Sequence, residues 1–278
     1  MKILIQNYSN NLTTRPMYLN ECFQRTNGVE SFLWNPGFDK VYDTIDKVRP
    51  DVVLTSYATL NEDLIKYLNK NKLRVICDIT GAEQGIVNQL DAMLPAEFYI
   101  TENFEFVEDL QSKRKIHRLY PCHDMFLAPQ DFPVFDGVGL VATKENEQLL
   151  EEKSQHQYHH TIHIGKGDEK FDMSVYITLL ANLYDKYNQI VLCDNIKTAT
   201  SQLFFDGLAR SKKFSVKLPP EETDLFPQFL KMVFEEEQQD VIDLLGAIKQ
   251  QVMTNHTCFN RAKELLNLLG KTDVEIQQ

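Results

Sequence analysis

The feature that most constrains this chain is a series of short segments apolar on both faces, each followed by a longer amphipathic or polar stretch. Residues 2–7, 31–34, 51–56, 73–78, 98–101 and 118–121 read as strands. In 51–56 and 73–78 β-branched and other apolar residues run together with little hydrophobic–polar alternation. A strand of that kind is covered on both sides, which calls for a parallel sheet with helices on each face. The intervening stretches fit helices. One runs from Pro16 to about Thr26, with Thr13 or Thr14 as N-cap and the proline in the first turn. Others span 40–48, stopped by Pro50, then 61–71 and 103–112.

The pattern breaks near residues 130–136. Three prolines fall within 121–133, and a Gly-Val-Gly restart follows, which reads as a linker. Beyond it the alternation resumes, with strands at 139–142, 161–165, 190–194 and 214–218 and helices at 146–154, 173–187 and 198–210. Residues 223–270 are helical with few breaks. The expectation is an α/β chain of two Rossmann-like parallel-sheet domains, 1–132 and 133–255, facing across a cleft, with a helical C-terminus. A length of 278 residues suits two domains.

Composition excludes several classes. Hydrophobic residues make up 43% and charged residues 25%, so the chain is neither disordered nor fibrous. No apolar run reaches membrane-spanning length, and the N-terminus lacks the h-region of a signal peptide, so a cytoplasmic protein without membrane contact is expected. The net charge of −11 rules out a uniformly basic surface but leaves room for local basic stripes. Five cysteines, an odd number without a CxxC pair, argue against a disulfide framework or a cysteine zinc site. His156, His159, His160 and His163 have no convergent acidic ligand, so no metal site is expected. No GxGxxG fingerprint, P-loop, Ser-His-Asp order or deaminase signature is present.

In parallel α/β sheets ligands sit at the carboxyl ends of the strands. The loop 7–15 follows the first strand, carries Tyr8, Asn10 and Asn11, and opens a helix N-terminus suited to an anionic or hydroxyl-rich ligand. Asp78 ends a buried strand beside Gly81 and Gly85, where it serves either as a general base for a hydroxyl or as a cap for the next turn. Asp194 and Asn195 end a second such strand. Lys197, Thr198, Thr200 and Ser201 then open a helix whose free N–H groups and hydroxyls suit a diphosphate, or simply cap it. His123-Asp124 is a further cleft candidate. Two basic clusters stand out, Lys113, Arg114 and Lys115 with His117 and Arg118, and Arg210 with Lys212 and Lys213. Both suit helix ends, and the first could also track a polyphosphate backbone.

Two such domains with a helical C-terminus resemble a GT-B glycosyltransferase, and particular residues sharpen the likeness. Ser201-Gln-Leu-Phe-Phe-Asp206-Gly-Leu-Ala resembles the donor-site helix of that family, which implies that Asp206 holds the ribose of a nucleotide. Leu203 stands where the family usually has a diphosphate-binding Arg, so either Lys144 or Lys197 takes that task or donor binding is altered or absent. His256-Thr-Cys-Phe-Asn-Arg261-Ala resembles the family's C-terminal helix, which implies that 256–278 returns to the first domain. The chain also resembles phage glucosyltransferases that modify 5-hydroxymethylcytosine in DNA. Residues 73–78 with the following Ile-Thr-Gly are similar to the segment carrying their catalytic Asp. Tyr99-Ile-Thr-Glu102 matches the next strand and helix start, and Gly139-Leu-Val-Ala-Thr143-Lys144 falls at their phosphate-binding loop.

The resemblance implies sugar transfer from a UDP-sugar to an acceptor hydroxyl. Asp78 would act as base, and Thr143, Lys144, Gly165, Lys197, Thr198, Thr200, Ser201 and Asp206 would bind the donor. Tyr8, Asn10, Asn11, Lys113, Arg114 and Lys115 would meet the acceptor. No cofactor is required, and a divalent metal is not implied. The favoured acceptor is 5-hydroxymethylcytosine in phage DNA, which makes double-stranded DNA a candidate partner and the host cytoplasm the setting. The alternatives are a saccharide or surface-polymer acceptor, and a non-catalytic binding protein of the same fold.

Overall fold

The computed structural model describes residues 1–8, 14–36, 39–94, 96–102, 114–126, 135–142, 160–163, 183–193, 202–210, 213–217, 239–272 and 274–277. The chain divides into two compact units, Met1–Tyr120 with Cys258–Gln278, and Pro121–Thr257.

The first unit is built on a six-stranded sheet, β1 (Lys2–Gln6), β2 (Glu30–Trp34), β3 (Val52–Ser56), β4 (Arg74–Asp78), β5 (Ala96–Thr101) and β6 (Lys115–Arg118). The order is β2-β1-β3-β4-β5-β6, and every pairing is parallel. β3 is buried along its whole length, and β1 and β4 at every residue but the first, as the missing alternation requires. Helices α2 (Val41–Val48), α3 (Glu62–Lys70) and α4 (Gln84–Met93) cover one face. There Leu4, Trp34, Val53, Val75, Cys77 and Tyr99 pack with Ile45, Leu64, Leu68, Val87 and Leu90. Truncating one of these large apolar side chains to alanine costs about 2–5 kcal/mol. α3 starts where Asn61 caps it by accepting the Leu64 N–H at 2.9 Å.

Helix α1 (Arg15–Gln24) buries Tyr18, Leu19, Cys22 and Phe23 at helical spacing. Thr14 is its N-cap residue and Pro16 lies in its first turn, but the threonine side chain makes no capping hydrogen bond. α1 packs against the final helix of the described chain (Cys258–Leu268), which buries Cys258, Arg261, Ala262, Leu265 and Leu266.

The second unit carries a four-stranded parallel sheet, β7 (Phe135–Ala142), β8 (His160–His163), β9 (Tyr187–Cys193) and β10 (Lys213–Lys217), in the order β10-β9-β7-β8. Its winding repeats that of the first four strands of the other sheet. α5 (Gln202–Arg210) precedes β10, and α6 (Gln239–Asn255) packs on α5; the final helix, already described in the first unit, is α7. Gly139 in β7 makes a close approach, since a Cβ there would lie 3.0 Å from Ile190 Cδ1 and Leu183 Cδ1.

Several sequence expectations change. The strand expected at 118–121 is β6 at Lys115–Arg118, because Phe98 to Thr101 pair with those four residues in register. Its basic residues therefore lie on an edge strand rather than at a helix end, and charge on an edge discourages further pairing. α4 was not expected, since Gly81 and Gly85 read as loop; Gly81 does turn the chain, at φ 82°. β7 starts inside the expected linker, and Tyr187 opens β9 instead of ending a helix. The first crossing between units falls at 120/121 rather than 132/133. The reason is local to the second unit: the His123 N–H donates to the His256 carbonyl at 2.8 Å, and His123 bridges to Thr257. The helices expected at 103–112, 146–154 and most of 173–187, and the expected helix start at 198–201, lie outside the described residues. Among the described residues no helix is long and apolar enough to cross a membrane.

Gly139→Ala should destabilise the second unit by about 1–3 kcal/mol, because the new methyl overpacks a closed strand–helix contact. Urea denaturation of both proteins checks this, and an unchanged midpoint would show that the contact has slack.

Candidate active site

At the carboxyl ends of the strands of the first unit, the side chains change from apolar to polar. Gln6 ends β1, fully buried, and its Oε1 accepts from Thr55 Oγ1, from Thr59 Oγ1 at 2.7 Å and from the Ser56 N–H at 3.3 Å. Its Nε2 and the Trp34 Nε1 at the end of β2 are buried with no hydrogen-bond partner among the described residues.

Asp78 closes β4 and is 2% exposed. Three donors meet it. Tyr8 Oη donates to Oδ2 at 2.7 Å, Arg15 Nη1 donates to the same oxygen at 2.6 Å, and the Thr80 N–H donates to Oδ1 at 2.9 Å. The same Arg15 reaches Glu102, one residue past β5, through Nη2, and also donates to the Leu119 carbonyl at 3.4 Å, one residue past β6. Glu102 is tied to the β4 turn as well, its N–H donating to Thr80 Oγ1 at 3.2 Å.

A buried guanidinium thus joins two carboxylates on neighbouring strands. Burial alone would lower Arg15, but Glu102 and Asp78 overcome it and hold the charge well above its usual range. Burial pushes the Tyr8 phenol up, and Asp78 adds to that shift. Burial also raises Glu102, with Arg15 opposing and Asp78 reinforcing. Such an array can orient a polar ligand and hold or move a proton.

Sequence reasoning located Asp78 and Tyr8 but not their surroundings. An ionised carboxylate offers about four acceptor positions, and in Asp78 three are taken under near-complete burial. The Oδ1 of Asp78 closes the turn at Thr80, in line with the capping reading. Arg15 was read only as the end of a loop. Its signal lay in two strand-terminal carboxylates on adjacent strands, which need a buried cation.

In the second unit Asp206 lies on α5, 5% exposed, with both oxygens engaged. His123 Nδ1 donates to Oδ1 at 2.7 Å, the Asp124 N–H donates to Oδ1 at 3.0 Å, and Gln202 Nε2 donates to Oδ2 at 3.2 Å. His256 stacks on Phe205 of the same helix at 5.1 Å. The ribose role implied for Asp206 must therefore share a carboxylate that already anchors the entry segment of this unit at His123 and Asp124. Arg210 is no solvated helix end, since Nη2 pairs with Asp185 at 2.5 Å.

Arg114 and Lys115 are exposed at the start of the edge strand β6. Asn10, Asn11, Lys113, Thr143, Lys144, Gly165, Lys197, Thr198, Thr200 and Ser201 lie outside the described residues. Among the described residues no group of three or more His, Cys, Asp or Glu is placed to hold a metal, and Cys22, Cys77, Cys122 and Cys258 are buried free thiols.

No protein-family model matches the chain, and no curated protein matches it in sequence. Solved structures do match over nearly its whole length. The glycotransferase of kitacinnamycin is 12% identical with a TM-score of 0.51, the alignment covering 96% of this chain and 98% of that one. S. aureus MnaA, in a co-structure with UDP, is 10% identical with a TM-score of 0.51, covering 96% and 95%. At such identities the likeness concerns the fold, and the fold of this chain, two parallel-sheet α/β units, is of the GT-B glycosyltransferase type.

Proposed function

We propose that this chain is a glycosyltransferase that moves a sugar from a UDP-sugar to an acceptor hydroxyl. The observation that carries the reading is the Tyr8–Asp78–Arg15–Glu102 array at the carboxyl edge of the first sheet, on a fold shared with glycosyltransferases. The fold neighbour holding UDP supports the choice of donor nucleotide. A carboxylate of the array, which Asp78 anchors, deprotonates the acceptor hydroxyl. The second unit takes the donor, with Thr143, Lys144, Gly165, Lys197, Thr198, Thr200 and Ser201 around the diphosphate. Hydrogen-bond donors and lysines there stabilise the departing charge, so no metal is needed for that step. The setting we propose is the cytoplasm.

For the acceptor we propose 5-hydroxymethylcytosine in double-stranded DNA, approached by Tyr8, Asn10 and Asn11, with Lys113, Arg114 and Lys115 on its phosphates. The exposure of Arg114 and Lys115 supports this. The net charge of −11 favours the alternative, a saccharide hydroxyl. The three hydrogen bonds that already occupy the Asp206 carboxylate favour a third reading, a binding protein that keeps the fold without the chemistry.

Incubation with labelled UDP-glucose and UDP-N-acetylglucosamine separates these readings. Label should move to duplex DNA containing 5-hydroxymethylcytosine; movement only to oligosaccharides selects the saccharide acceptor, and binding without turnover selects the binding protein. If DNA is the acceptor, the log–log slope of affinity against salt should flatten by about 1–2 when Arg114 and Lys115 become Ala, since each phosphate contact contributes about 0.9. A slope near zero in the unmodified protein contradicts the DNA reading. Asp206→Ala strands the buried donors of His123 and Asp124 and should cost about 1–3 kcal/mol of stability. A ribose role adds a loss of UDP affinity of similar size, so calorimetric titration of the folded variant decides whether Asp206 holds the donor or only the chain.

A further inference from the structure

Asp78 and Glu102 share Arg15 but not the same surroundings. Asp78 is sealed beneath Tyr8, Arg15 and the Thr80 N–H. The Glu102 side chain is 17% exposed, and only its Oε1 is engaged, by Arg15 Nη2. Among the described residues its Oε2 has no hydrogen-bond partner. A general base must place a lone pair within hydrogen-bond reach of the proton it removes. Of the two carboxylates, Glu102 is the one with a partly exposed side chain and an oxygen unoccupied among the described residues.

We propose that Glu102, through Oε2, is the carboxylate that takes the acceptor proton, and that Asp78 is a positioning residue acting through Arg15. This assignment rests on the glycosyltransferase reading and deepens it. In the step, the acceptor O–H proton passes to Glu102 Oε2 while the acceptor oxygen forms a bond to the anomeric carbon. The bond from that carbon to the diphosphate oxygen breaks, its electron pair leaves with UDP, and Glu102 returns the proton to solvent. Arg15 keeps the Glu102 carboxylate in place, and Asp78, held by Tyr8 and Thr80, keeps Arg15 in place. The array carries one positive and two negative charges, so Glu102 is not fully neutralised. Among the described residues, the charged and titratable groups that face it are Arg15 from α1, Asp78 from β4 and Tyr8 from the segment after β1. Burial and Asp78 lift its proton affinity, which brings a carboxylate closer to working pH.

The test compares the full chain with Glu102→Gln, Glu102→Asp and Asp78→Asn, each checked for folding by thermal melts. UDP-glucose and UDP-N-acetylglucosamine are the donors, water stands in for the acceptor hydroxyl, and calorimetry reads donor binding. Glu102→Gln should lower hydrolysis by about 10²–10⁴-fold with donor affinity nearly unchanged. Glu102→Asp should restore part of that loss. The wild-type rate should fall as pH drops through the Glu102 titration, because a protonated carboxyl cannot accept. Asp78→Asn should lower turnover by less than Glu102→Gln does and move that limb to lower pH, since removing a neighbouring negative charge lowers the pKa. Wild-type turnover matched by Glu102→Gln overturns the base assignment alone. So does an Asp78→Asn protein that is folded and inactive while Glu102→Gln works. Neither binding nor turnover of the UDP-sugars by the wild type overturns the transferase reading, and the base assignment with it.

Discussion

One buried guanidinium organises the first unit. Arg15 is 1% exposed, and its fork reaches Asp78 at the end of β4, Glu102 just past β5 and the Leu119 carbonyl just past β6. Through Asp78 it also fixes Tyr8, in the segment that leaves β1. A desolvated charge is tolerated only when opposite charges and hydrogen bonds meet it in good geometry. Here that requirement binds four connections that belong to separate parts of the sequence. Lysine could not substitute, because a single ammonium lacks the planar fork that addresses two carboxylates at once.

The strands and their parallel pairing were legible because burial on both faces leaves a direct mark, the loss of alternation in 51–56 and 73–78. Helix α1 was legible from Pro16 and from apolar spacing. α4 was not, because glycines near its start masked ten residues with ordinary helical spacing. Edge strand β6 was misplaced by three residues, since its sequence, Lys-Ile-His-Arg, is polar enough to read as a helix end.

The site was legible only in part, and for a different reason. A strand-terminal Asp signals chemistry by position, and that located Asp78. Its occupancy depends on partners 63 and 70 residues away in sequence, Arg15 and Tyr8, which no local pattern reveals. The same holds for Asp206, whose partner His123 lies 83 residues away. In both cases a carboxylate identified by motif proves to be a junction of the tertiary structure. Among the described residues, the acceptor oxygen left unoccupied stands one strand over, on Glu102.

The division of the chain has a consequence for biosynthesis. The first unit is discontinuous in sequence: α1 is covered by α7, Thr26 bridges to Ile276, and the Arg261 Nε donates to the Tyr120 carbonyl at 2.8 Å. On the ribosome its sheet emerges first yet lacks the helix that covers the α1 side, while the second unit, contiguous in the chain, is translated whole before that helix appears. Domains generally mature as units during translation. Here the unit begun first is the one finished last, so a nascent chain carries an uncovered α1 surface through most of its synthesis.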